Sequence, residues 1–167
     1  MNRAFILSLI LVSPAVLAKD SFVQTVKNVF QEYTKVDASD WYSKGDTAFA
    51  EFTGDNLGIY QHLKTSVRDN SINIKMEYAP GKEKPDSEKF MVATTAVCQV
   101  VFKNVILTPE ELDKLQSWDD DVRDPFDFMS SETAKDAGNG YNEEKINGWD
   151  VKIKRDAMLT TCTAEKI

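Results

Sequence analysis

His62 is the only histidine of the chain, and Cys98 and Cys162 are its only cysteines. A nucleophile–base relay of the Ser–His–Asp or Cys–His type would have to run through that one imidazole. No serine stands in a Gly-x-Ser-x-Gly setting. Gln61-His62-Leu63-Lys64 puts the ring at the border of a modest apolar face, where an ordinary boundary histidine is expected. A zinc site asks for three or four His or Cys ligands, with carboxylate as an occasional substitute, and the chain offers too few. No metal and no cofactor are therefore expected. The 27 acidic residues allow many carboxylate pairs of the glycosidase kind, yet spacing singles out none.

The two cysteines read as a structural pair. An even number of cysteines in an exported chain is most simply a disulfide, and no Cys-x-x-Cys spacing suggests redox work. A Cys98–Cys162 bridge would close a loop of 64 residues, for which chain entropy gives about 4 kcal/mol.

One stretch has more character than the rest. Trp118, Phe126, Phe128 and Met129 interleave with Asp119, Asp120, Asp121, Asp124 and Asp127 in a long acidic connection, Trp118 to Gly140. Charge alone would suggest calcium. The EF-hand spacing fails, because Arg123 stands at the fifth position counted from Asp119 and Asp124 stands where glycine is needed. Aromatics amid one sign of charge suit a contact surface, with rings as anchors and carboxylates steering a basic partner. The plainer alternative is that the rings fold under and pin the segment to the core.

The elements that must position these residues follow from periodicity. Asp20 to Val36 repeats Phe22, Val23, Val26, Val29, Phe30 and Tyr33 at helical steps, with Asp20 or Ser21 as N-cap. Asp37 to Asp46 is turn-rich, and Thr47 to Thr53 alternates as a strand. Leu57 to Val67 carries Leu57, Tyr60, Leu63 and Val67 at helical spacing. Ile72, Ile74, Met76 and Tyr78 alternate cleanly with polar residues, the mark of a half-buried strand. Glu88 to Val105 fits a helix better than a strand, because the helix gathers its apolar residues on one face. Thr108-Pro109-Glu110-Glu111 opens another helix, reaching about Trp118. Three strands close the chain, Tyr141 to Lys145, Trp149 to Lys154 and Met158 to Ala164, with Asn147-Gly148 as a hairpin turn.

The expected fold is α+β: an antiparallel sheet of four to five strands packed against two to four helices, with one disulfide. Its 167 residues, 42% hydrophobic and 28% charged, suit one globular domain. A net charge of −7 argues against nonspecific nucleic-acid binding. Residues 1–18 read as a secretory signal: Arg3, an apolar run from Ala4 to Val16, and Val16-Leu17-Ala18 before a polar Lys19-Asp20. That run is too short to cross a bilayer core of about 30 Å, so no membrane embedding is expected after cleavage. Residues 19–167 would form the single domain, periplasmic or secreted.

No diagnostic catalytic motif stands out. The leading expectation is an exported, non-enzymatic binding protein of inhibitor or immunity type. It would block a basic protein partner through Trp118, Asp119, Asp120, Asp121, Asp124, Phe126, Asp127 and Phe128. A carrier of a small apolar ligand is the alternative, and a small carboxylate-dependent hydrolase the second.

Overall fold

The computed structural model describes residues 21–56, 58–79, 86–117, 122–130, 140–156 and 158–167. The expected signal segment lies outside them. The described chain runs α1 (Phe22–Tyr33), a 3-10 turn (Ala38–Asp40), β1 (Trp41–Lys44), β2 (Thr47–Asn56), β3 (Ile59–Arg68) and β4 (Ser71–Tyr78). It continues through α2 (Ser87–Ile106), α3 (Pro109–Gln116), a second 3-10 turn (Asp127–Ser130), β5 (Tyr141–Ile146), β6 (Trp149–Asp156) and β7 (Leu159–Lys166).

All seven strands form one antiparallel sheet in the order β1-β2-β3-β4-β7-β6-β5. The α+β class is as expected, and the sheet is larger than the four to five strands read from the sequence. The additions are β1 and β3. β3 replaces the helix anticipated over Leu57 to Val67. Its buried face is Ile59, Gln61, Leu63, Thr65 and Val67, and the two polar members break the apolar alternation that marks a strand. Gln61 is fully buried, and Thr65 Oγ1 donates to Asn73 O at 2.9 Å. β1 lies in the stretch read as turn-rich, where Trp41 meets Phe30 edge-to-face with ring centroids 5.6 Å apart.

α1 and α2 cover one face of the sheet. α1 starts where Ser21 Oγ accepts from Gln24 N at 3.2 Å, and it buries Val26, Val29 and Phe30. α2 is the helix favoured for residues 88–105. It starts where Asp86 Oδ1 accepts from Glu88 N at 2.7 Å. By length and composition α2 could cross a membrane; in this fold Phe90, Val97, Cys98, Val101 and Phe102 bury it against the sheet. Leu63, Ile74, Met76, Val151 and Ile153 meet these residues from the strands. A second small cluster of Ile59, Phe90 and Ala93 sits at one end.

Between the two clusters runs a buried polar layer. Thr94 Oγ1 and Thr160 Oγ1 lie 2.8 Å apart, and both residues are fully buried or nearly so. Arg155, on β6, is only 4% exposed; its Nη2 donates to Met129 O at 2.7 Å and to Thr95 Oγ1. Buried polar groups are tolerated when hydrogen-bonded, so this layer fixes how α2 sits on the sheet.

The expected disulfide is present. Cys98 of α2 and Cys162 of β7 have Cα atoms 6.2 Å apart, and both are fully buried. The bridge joins the helix layer to the sheet. Replacing both cysteines by alanine should lower the unfolding free energy by about 4 kcal/mol, read from urea titration at equal m-value. A loss below about 1 kcal/mol would show that the two layers hold without it.

Candidate partner-binding surface

α3 follows α2 with only Leu107 and Thr108 between them. Thr108 Oγ1 accepts from Glu111 N at 3.3 Å, and Glu111 Oε2 accepts from Thr108 N at 2.8 Å. This reciprocal cap, with Pro109 at the first helical position, fixes the start of α3. Glu111 also reaches the β5–β6 turn: Asn147 Nδ2 donates to its two oxygens at 3.1 and 2.9 Å. These bonds hold the Glu111 carboxyl below the usual range, the Thr108 backbone contributing most, then the Asn147 amide, then the Thr108 hydroxyl. Glu110 and Asp113 are exposed, while Leu112 and Leu115 lean on the core.

The segment 122–130 runs alongside. Phe126 and Met129 are fully buried and belong to the main core. Asp124 Oδ1 accepts from Phe126 N at 2.9 Å, and Asp124 Oδ2 pairs with Lys103 of α2. Gln99 Nε2 donates to Phe126 O at 3.0 Å, and Asn142 Nδ2 donates to Phe128 O at 2.9 Å. Helix and strand side chains thus hold the segment's carbonyls from both flanks.

The site expected from the sequence therefore divides. Phe126 is corrected: its ring is a core residue with no surface to offer a partner. Phe128 is half-buried and packs on the core, and Asp124 is half-buried in its ion pair. Asp127 is exposed. Trp118, Asp119, Asp120 and Asp121 lie outside the described residues.

Sequence reasoning missed a cleft at this corner. Leu107, Leu115, Val122 and Pro125 line it, with Glu111, Lys114 and Arg123 around them, and its volume is about 210 Å³. Its walls come from the α2–α3 junction, α3 and the 122–125 segment. The available signal was Thr108-Pro109, a helix start so close behind α2 that the chain must turn back at that point.

Charge is distributed unevenly. On the sheet face away from the helices, strand register brings seven cations (Lys44, Lys64, Arg68, Lys75, Lys145, Lys152, Lys154) against seven carboxylates (Glu51, Asp55, Glu77, Glu143, Asp150, Asp156, Glu165). At the α3 corner, among the described residues, Glu110, Glu111, Asp113, Asp124 and Asp127 stand with Lys103, Lys114 and Arg123; Lys103 pairs with Asp124, and Lys114 pairs with Glu110 at 2.9 Å. The chain adds Asp119, Asp120 and Asp121 between these elements in sequence.

His62 lies on the open sheet face, far in the fold from this corner. Its Nδ1 is 3.4 Å from Glu77 and its Nε2 is 3.7 Å from Glu51. The two carboxylates sit on opposite sides of the ring, an arrangement suited to ion pairing rather than to ligation of one metal. Among the described residues no group of three or more His, Cys, Asp or Glu is arranged to hold a metal ion. A recess of about 140 Å³ beside α2, lined by Met91, Val92, Thr95, Ala96, Gln99, Ser130 and Arg155, is mostly apolar.

Phe126→Ala should cost about 3–5 kcal/mol in urea unfolding, whereas Asp127→Asn should change stability by less than about 0.5 kcal/mol. Equal small effects would return Phe126 to the surface. A carboxyl whose folded pKa is depressed stabilises the fold above its unfolded pKa, and that contribution is lost as pH falls through the folded value. Glu111→Gln should therefore flatten part of the stability loss as pH falls below the ordinary glutamate pKa of about 4.3. An unchanged slope would remove Glu111 from the acid response. Comparison with protein-family models, with curated proteins and with solved structures finds no match to this chain.

Proposed function

We propose that the protein is an exported, non-enzymatic binding protein of inhibitor type, which docks a basic protein at the α3 corner. The observation that carries this reading is an apolar cleft bordered by carboxylates. The open sheet face is balanced, whereas at the α3 corner five carboxylates stand with three cations around the cleft. Long-range attraction accelerates and orients encounter with a basic surface, and a desolvated apolar anchor then supplies affinity. The cleft suits a side chain donated by the partner. In this reading the partner brings the knob and this chain brings the hole, the reverse of the inserted aromatic loop expected from the sequence.

The buried disulfide agrees with an oxidising compartment. Export itself rests on the reading of residues 1–18, and a periplasmic or secreted location follows from that proposal. The two alternative functions gain no specific support. The space a carried apolar ligand would need between sheet and helices is occupied by Phe30, Leu63, Met76 and Phe102. A carboxylate hydrolase would need two acids facing one substrate cleft, and those of this corner are taken up in caps and ion pairs or point outward.

The exported form, disulfide intact, is immobilised and exposed to envelope and secreted fractions at low and high salt. A stoichiometric partner of basic pI, released by salt, is expected. With that partner purified, neutralising Glu110, Asp113 and Asp127 to their amides should slow association about tenfold and flatten its salt dependence. Val122→Lys, which fills the cleft with a cation, should weaken binding mainly through faster dissociation. Neutralising Lys64 and Lys75 on the sheet face should change neither rate. Equal binding by all variants would sink the assignment to this corner.

A further inference from the structure

Asn147 and Gly148 form the two-residue turn between β5 and β6, with φ of 50° and 79°. Positive φ at both positions is the geometry that favours Asn-Gly in a tight hairpin. The same pair is the most chemically labile in a protein chain, because no Cβ shields the glycine nitrogen from the preceding side-chain amide. Both residues are exposed here.

What sets this turn apart is the partner of the Asn147 amide. Its Nδ2 donates to both oxygens of Glu111, at 3.1 and 2.9 Å, and lies 3.5 Å from Ile106 O. The acceptors belong to the first turn of α3 and the last residue of α2. The Asn147 side chain is thus a direct polar tie between the hairpin and the α2–α3 corner. It works only while residue 147 is a donor.

We propose that Asn147 is a deamidation site guarded by Glu111, and that its conversion to a carboxylate frees α3 from the β5–β6 hairpin in one direction only. The Gly148 backbone nitrogen bonds to Cγ of Asn147, the Cγ–Nδ2 bond breaks, and ammonia leaves carrying the proton from Gly148. Water then opens the five-membered imide to aspartate or isoaspartate. Ammonia is lost and water gained, and no oxidant or reductant is needed.

The guard acts in two ways. Donation to a carboxylate keeps Nδ2 electron-rich, which lowers the electrophilicity of Cγ. It also commits the amide to acceptors on α2 and α3, so those bonds must break before Cγ is free to turn to the Gly148 nitrogen. After conversion a carboxylate faces the Glu111 carboxylate where two hydrogen bonds had been. Like charges at that distance repel, and the lost donors leave nothing to offset it. Glu111 keeps its bonds to Thr108, so α3 stays capped as a helix while its tie to the hairpin is gone. The inference stands apart from any partner at the cleft, although a freed α3 would change the cleft's shape.

The test uses the full exported form, oxidised, incubated at mildly alkaline pH. Peptide mass spectrometry follows the exchange of NH for O at Asn147, and hydrogen exchange follows the amides of α3, β6 and β7. Wild type is expected to convert several-fold more slowly than Glu111→Gln, and more slowly than the urea-unfolded chain. Asn147→Asp should speed exchange in α3 at least several-fold and leave β7 unchanged, and adding Glu111→Gln to it should reverse part of that increase. Asn147→Gly keeps the turn while removing the donor without adding charge, and should give an intermediate effect. Conversion as fast in wild type as in Glu111→Gln would overturn the guard. Unchanged α3 exchange in both Asn147→Asp and Asn147→Gly would overturn the release.

Discussion

One sheet face must be buried, and among the described residues α1 and α2 supply most of its cover. A seven-stranded antiparallel sheet is wide, and α1 and α2 lie side by side across its middle strands. Most of the rest follows from that coverage. Strands β3, β4 and β6 carry the bulky apolar residues under the helices, and β7 between β4 and β6 presents the smaller Thr160, Cys162 and Ala164. The outer strands carry less, and they are sealed by additions: Trp41 against Phe30 at one side, Phe22 stacked on Trp149 at the other, with ring centroids 5.3 Å apart. The segment 122–130 performs the same task beside β5. Phe126 and Met129 fill space that the two helices leave open, which is why its rings face inward.

The helix layer is placed by chemistry as well as by shape. Apolar contacts alone would let α2 slide along the sheet at small cost, because aliphatic surfaces are non-directional. The disulfide fixes one point, Cys98 to Cys162. The Thr94–Thr160 contact and the Arg155 bonds to Thr95 and Met129 fix others. Arg155 holds α2 and the 122–130 segment with a single guanidinium, so the two cannot shift independently.

Much of this was legible in the sequence, and the misses have specific causes. α1, α2, α3, β4 and the three C-terminal strands announce themselves by periodicity and caps, and the cysteine pair by its number. β3 was hidden because Gln61 and Thr65 occupy buried positions, leaving Leu57, Tyr60, Leu63 and Val67 to mimic a helical stripe. β1 was hidden because four residues bounded by polar turns carry almost no pattern. At the acidic connection the alternation of Phe126, Asp127, Phe128 and Met129 fits an outward or an inward display equally well. What decides the matter is supplied from elsewhere in the chain, by Gln99, Lys103, Asn142 and Arg155. The cleft was illegible for the same reason: its walls come from separate stretches.

The strand order has a further bearing, on how the chain reaches this state. Five of the six strand pairings join neighbours in sequence, and each can form as a local hairpin or meander. The sixth joins β4 to β7 in the middle of the sheet, with α2, α3, β5 and β6 lying between them along the chain. Closing so long a loop carries an entropic cost before any contact across it is rewarded, so this pairing governs the folding rate. Cys162 is paired with Ile74 across that same junction. Oxidation of the two thiols therefore belongs after the halves have met, and a bridge formed earlier would have to form without the sheet to guide it.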